Sequence, residues 1–173
     1  GERDHAIAEI TPNAAPVIVR ASFGHWQIDG CPHHGAALAY GSAFGYHMAY
    51  FDGAGDTPSL KYARMDGEAW VTSPPKKFGN MKNQAGHPAL LSLGEKVWLV
   101  WTEKVGTAAS TTKATGIYAM QSEDGGKNWN DAKLVFSTKD KADYPQLIEN
   151  KGKVYLAINT VTDGFRLVPL TEN

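Results

Sequence analysis

Apolar residues in this chain come in short runs, and no window of 12 or more residues keeps them at helical i, i+3, i+4 spacing. Val97-Trp98-Leu99-Val100-Trp101 and Val154-Tyr155-Leu156-Ala157-Ile158 are strand-sized and rich in β-branched and aromatic side chains. Eighteen Gly and nine Pro break the chain between such runs. This pattern predicts an all-β protein of many short strands. His5 to Ile10 and Val17 to Ala21 read as two strands ahead of the rest.

An internal repeat organises the runs. Gly86-His87-Pro88-Ala89-Leu90-Leu91, followed by Lys96-Val97-Trp98-Leu99, aligns without a gap at an offset of 57. Its counterpart is Asp143-Tyr144-Pro145-Gln146-Leu147-Ile148, followed by Lys153-Val154-Tyr155-Leu156. A weaker early copy runs Gly35 to Tyr40, then His47 to Phe51. Each copy reads as a hairpin of two buried strands. A third strand, an Asp-Gly turn and a Trp that opens a fourth strand follow in Lys61 to Trp70 and in Ile117 to Trp129. Such a sheet cannot cover both of its faces alone and must stack on its copies. Four-stranded sheets at this spacing predict a β-propeller. The blades fall at about 31–78, 84–136 and 142–170 of a single segment 1–173, with the strands of 1–22 completing a neighbouring or partner blade.

Ser122, Asp124, Gly126 and Trp129 stand at S-x-D-x-G-x-x-W spacing, and Asp66 and Trp70 stand in a shortened copy. The residue types suit a tight turn. Asp accepts hydrogen bonds from its own turn, Gly takes positive φ, and Trp buries a large surface beside it. With the repeat, this motif resembles the Asp box of sialidase-like (BNR-repeat) β-propellers over almost the whole chain. The resemblance implies blades of four antiparallel strands, about three in this chain, or half of a six-bladed ring. It also implies that the box residues are structural and lie on the outer rim. Three blades cannot close a ring, so closure calls for a homodimer or for the remainder of a longer propeller.

Composition narrows the function classes. The apolar fraction is 42% and the charged fraction 20%, ordinary for a globular protein. Seventeen basic against eighteen acidic residues give a net charge of -1, which argues against nucleic acid as the partner. No apolar stretch approaches the roughly 20 residues of a membrane span, so no membrane partner is expected. The polar start lacks a leader pattern and an initiator Met, as expected after processing or inside a longer gene product. A single Cys excludes an internal disulfide. Propellers of the resembled kind are often exported, which makes a periplasmic or secreted location the expectation. No cofactor is expected, and no metal ligands are assigned.

Candidate chemistry collects where the inner strands begin. The repeat places His34-Gly35, His87 and Tyr144 at equivalent positions, predicted to gather at one mouth of the axis. Trp26, His33, His34, His87 and Tyr144 are the candidate ligand-binding residues, for a small molecule or a glycan. Sialidases, by the resemblance, clamp a carboxylate with three arginines and use a Tyr nucleophile with an Asp acid/base. Tyr144 is the candidate nucleophile. Asp29 and Asp143 are the nearest acids. The chain has four arginines, Arg3, Arg20, Arg64 and Arg166, and none lies in the family's motif. The expected function is therefore a binding module at the axis with no complete catalytic set. An exo-sialidase-type hydrolase completed by a missing half or partner chain is the alternative, and a metal-binding propeller using axial histidines is a third. Lys76, Lys77 and Lys82 read as a basic loop between blades, and Thr107 to Thr112 as a polar loop.

Overall fold

Strands and turns make up nearly all of the fold in a computed structural model that describes residues 1–29, 35–42, 44–66, 71–106, 114–139, 141–142 and 144–171. Four short strands come first: β1 (Glu2–Arg3), β2 (Ala6–Glu9), β3 (Val17–Arg20) and β4 (Trp26–Gln27). β1 pairs with β4, and β2 pairs with β3. Three antiparallel sheets follow. The first is β5 (Ala37–Gly41), β6 (Gly45–Asp52), β7 (Ser59–Met65) and β8 (Lys76–Phe78). The second is β9 (Gly86–Leu93), β10 (Lys96–Val105), β11 (Ala114–Ser122) and β12 (Lys133–Thr138). The third is β13 (Gln146–Asn150), β14 (Lys153–Thr160) and β15 (Gly164–Pro169). A 3-10 turn, Met81–Asn83, links the first two sheets. Among the described residues no helix is long and apolar enough to cross a membrane.

The sequence repeat is a repeat of register. Leu90 faces Leu99 and Leu93 faces Lys96 in the second sheet; Leu147 faces Leu156 and Asn150 faces Lys153 in the third. Adding 57 converts each of the first pairs into the second. A one-residue slip would turn every side chain to the other face, so this match fixes both hairpins alike.

Strand β10 shows why its apolar run does not alternate with polar residues. Both of its faces are buried. Leu99 and Trp101 pack towards the first sheet with Ala49, Leu60, Tyr62 and Phe78. Val100 packs the other way, with Leu156 and Ile158 of the third sheet. Strands covered on both faces read as continuous hydrophobic runs. Each fully buried large apolar side chain here contributes roughly 1.5–3 kcal/mol, and the stacking of sheet on sheet is what buries them.

Two details differ from the expectations. Lys76 and Lys77 are not loop residues; they lie in β8, pairing with Tyr62 and Lys61 of β7. Trp129 does not open β12, which begins only at Lys133. Its ring packs instead against Tyr62 of the neighbouring sheet. The segment 107–112 lies outside the described residues.

The two ends of the stack differ. The first sheet's outer face, with Met48, Tyr50, Ala63 and Met65, is covered by Ala21 and Ile7 from the N-terminal segment. On the third sheet's outer face Ile148, Phe165 and Leu167 are exposed.

Candidate functional site

Strands β5, β9 and β13 begin at one end of the stack, with β9 between the other two. Four successive residues from each start, 35–38, 87–90 and 144–147, line a cleft of about 310 Å³. That is the mouth at which the repeat predicted Gly35, His87 and Tyr144 to meet. The His87 and Tyr144 rings touch edge to face, with centroids 4.7 Å apart.

The backbone at both positions is unusual. His87 has φ of 50° and Tyr144 φ of 59°, the left-handed region. Each is followed by a proline, Pro88 and Pro145. A residue before proline favours extended backbone, and a bulky L-residue at positive φ costs on the order of 1–2 kcal/mol. Strain of this kind concentrates at ligand clamps and active sites. Here it aims two aromatic rings into one cleft. Tyr144 is 61% exposed, so its ring serves the cleft more than the core.

The described cleft walls carry no carboxylate, lysine or arginine. Arg20 is held by Glu2 at 2.8 Å and Asp4 at 3.3 Å. Arg64 stands over the Phe44 ring at 4.2 Å. Arg166 lies on β15 and Arg3 on β1. Asp29 is exposed beyond β4 and is not in the cleft wall.

Trp26, expected in the pocket, is not in the cleft wall. It is buried, edge to face with Phe51 at 5.4 Å, and a Cβ on Gly53 would stand 2.8 Å from its ring. The large indole fills the gap between the N-terminal segment and the end of β6, and burial there wins over exposure to a ligand. Cys31, His33, His34, Trp70 and Asp143 lie outside the described residues.

The Ser122–Trp129 turn sits at the opposite end of its sheet from the cleft. Ser122 faces Val97 where β9 and β10 join, whereas Gly86 faces Thr102 beside the cleft. Asp124 Oδ1 accepts from the backbone N–H of Lys127 at 3.0 Å and of Asn128 at 2.8 Å, and Oδ2 from the Asn128 side chain at 2.7 Å. Ser122 Oγ donates to Asp124 Oδ1 at 2.8 Å and accepts from the Gly126 N–H at 2.8 Å. The Asn128 hydrogen bonds foremost, then those of Ser122 and Lys127, pull the Asp124 carboxyl from 3.8 to about 2. Trp129 Nε1 donates to the Gly126 carbonyl at 3.2 Å. In the shortened copy Asp66 follows β7 as Asp124 follows β11, and its N–H donates to the Val71 carbonyl.

Glu2, Asp4 and His25 place one ligand atom each within 4.8 Å of one another. The Arg20 guanidinium already occupies that cluster, and Asp4 also accepts from Ser22 Oγ and the Gly24 N–H, both at 2.8 Å. The group is a salt-bridge network tying β1 and β3 to the loop before β4.

Two buried polar centres carried no sequence signal. His47, fully buried, meets Tyr62 Oη at 2.7 Å. Burial, then the nearby Arg64 charge, lowers its pKa from 6.5 to about 4. Glu103, 5% exposed, takes the Asn80 N–H and Trp101 Nε1 on Oε1, both at 2.8 Å, and Asn83 Nδ2 on Oε2 at 3.2 Å.

The chain matches no protein-family model and no curated protein. Among solved structures it is similar to an exo-1,5-α-L-arabinanase from a bovine ruminal metagenomic library. The TM-score is 0.55 at 10% identity, over 98% of this chain and 66% of that one. The chain folds as blades of a β-propeller. A GH43 endo-arabinanase from Bacillus licheniformis is matched at TM-score 0.46 and 11% identity, over 78% of this chain and 51% of that one. This propeller segment thus spans less than two-thirds of the length of either structure.

Proposed function

We propose that the chain is a sialidase-like Asp-box propeller module that binds a neutral carbohydrate at the axis and carries no complete catalytic set of its own. The left-handed His87–Tyr144 pair is the observation that carries this reading. Backbone strain presents two aromatic rings to a cleft of small-molecule size, and sugar rings stack on such surfaces. The described walls supply no guanidinium for an acidic sugar. The complete Ser122–Trp129 box supports the sialidase-like lineage, and the arabinanase similarity supports the propeller. Whether the ring closes with a second copy or with the remainder of a longer propeller is decided by the native mass of the isolated chain.

Saturation-transfer NMR with L-arabinose, D-galactose and N-acetylneuraminic acid tests the site. Binding of a neutral sugar is expected, with loss of the signal in Tyr144→Ala. Preference for N-acetylneuraminic acid would overturn the assignment. The second reading is an exo-sialidase-type hydrolase, favoured by one feature: the exposed Tyr144 phenol stands in the cleft as a nucleophile would. It needs arginines and an acid/base from outside the described walls. A fluorogenic sialoside decides it, since turnover that disappears in Tyr144→Phe is required.

A further inference from the structure

We infer that the axial cleft continues into a radial groove between the first two blades, and that together they hold a chain of linked neutral sugars. This rests on the carbohydrate reading above. His87 is the shared wall. It lines the axial cleft and also a groove of about 480 Å³ at the junction of the first and second sheets. The groove opens at the cleft end of both sheets. Phe51 lies where β6 ends, past the Ala37–Ala49 rung, and Gly86 faces Thr102 beside His87.

The groove's chemistry fits a hydroxyl-rich ligand. Phe51, Pro58 and Met81 offer apolar surface for C–H faces. Glu103 and Lys104 line the groove with one acidic and one basic residue, carried on opposite faces of β10. The Glu103 carboxylate is fixed by Asn80, Asn83 and Trp101, and Lys104 Nζ donates to Thr115 Oγ1 at 3.1 Å. A carboxylate oxygen offers two lone pairs, and Asn83 uses one on Oε2, so acceptor capacity remains for a sugar O–H. Lys104 is a donor to a sugar oxygen. Each compartment falls in the roughly 300–1,000 Å³ range of small-molecule sites. Two adjoining compartments with a common wall match a ligand of more than one ring.

The test is calorimetry with L-arabinose and with α-1,5-linked arabinose dimer, trimer and tetramer, on the whole chain and on Pro58→Trp. Pro58 is exposed at the groove rim, where an indole fills the space. Affinity is expected to rise at least about tenfold from arabinose to the trimer, about 1.4 kcal/mol. In Pro58→Trp, and independently in Lys104→Ala, the trimer-to-monomer ratio is expected to fall towards one. Equal affinity along the wild-type series overturns the groove and leaves the cleft reading intact. A ratio retained in both variants, each folded by circular dichroism, also overturns the groove. Failure of arabinose and every oligomer to bind overturns the groove, and overturns the cleft reading as well when D-galactose gives no saturation-transfer signal.

Discussion

His87 and Tyr144 occupy one position in two consecutive blades, both left-handed, with ring centroids 4.7 Å apart. Their 57-residue separation equals the offset that superposes the hairpin registers of β9–β10 and β13–β14. The kink before each proline is therefore a property of the repeat, copied along with the strands.

Tyr144→Gly separates binding from stability. Glycine takes positive φ freely and relieves about 1 kcal/mol of strain, while the lost edge-to-face contact costs about 0.5–1.5 kcal/mol. The two nearly cancel, so the urea midpoint is expected to shift little. Affinity for a neutral sugar is expected to fall at least about tenfold by calorimetry. A large loss of stability with binding intact would make Tyr144 a packing residue.

Gly126 allows the Ser122–Trp129 turn, the proposed Asp box, to close on the next blade. Its φ is 81°, and a Cβ there would overlap Tyr62 Oη. Tyr62 in turn meets Trp129 edge to face at 4.8 Å and bonds His47. Gly126→Ala must displace the tyrosine and adopt a strained backbone, and the expected cost is about 2–4 kcal/mol. Chemical denaturation measures it. A cost under about 0.5 kcal/mol would show that the box does not clamp the blade interface.

Much of the fold was legible because sheet-on-sheet burial leaves a strong trace in sequence. Strand β10 is covered on both faces, so Val97 to Trp101 reads as one apolar run, and its copy at Val154 to Ile158 shares the register. The cleft was legible for the same reason, since repeat-equivalent positions gather at one end of a radial stack. Partners across blades were not legible. His47 meets Tyr62 beside Gly126 of another sheet, and Glu103 collects donors from the Asn80–Asn83 turn. Nothing in the local pattern marks either residue. Trp26 misled because an aromatic before an inner strand reads alike whether it faces a ligand or seals a gap. Lys76 and Lys77 misled because β8 is a short edge strand whose lysine side chains are exposed.

Asp124 gives the box an acid-sensitive share of stability. Its carboxyl is held at about 2 in the fold, below the ordinary 3.8, so the folded state favours the ionised form. That contribution is complete above the unfolded value and disappears as pH falls through the folded one. Asp124→Asn lacks it throughout. The urea midpoint of Asp124→Asn is expected below wild type at about pH 6, with the gap closing between about pH 4 and pH 2. A gap that stays constant over that window would place the effect of the substitution in shape and not in charge.

His47 sets a second pH dependence, in a milder range. The folded protein keeps its imidazole neutral down to about 4, because burial and then the Arg64 charge oppose protonation. An unfolded histidine takes its proton near 6.5. Between those values the unfolded chain binds the extra proton, so stability falls as pH falls, by at most about 1.4 kcal/mol per pH unit. Across the window this amounts to about 3 kcal/mol. His47→Gln loses packing and is less stable at neutral pH, yet its stability should vary less from about pH 7 to about pH 4.5. The slope of unfolding free energy against pH, from urea titrations of both proteins, is the measurement. Equal slopes would mean that water reaches the His47 ring and that the seam between the first two blades is open.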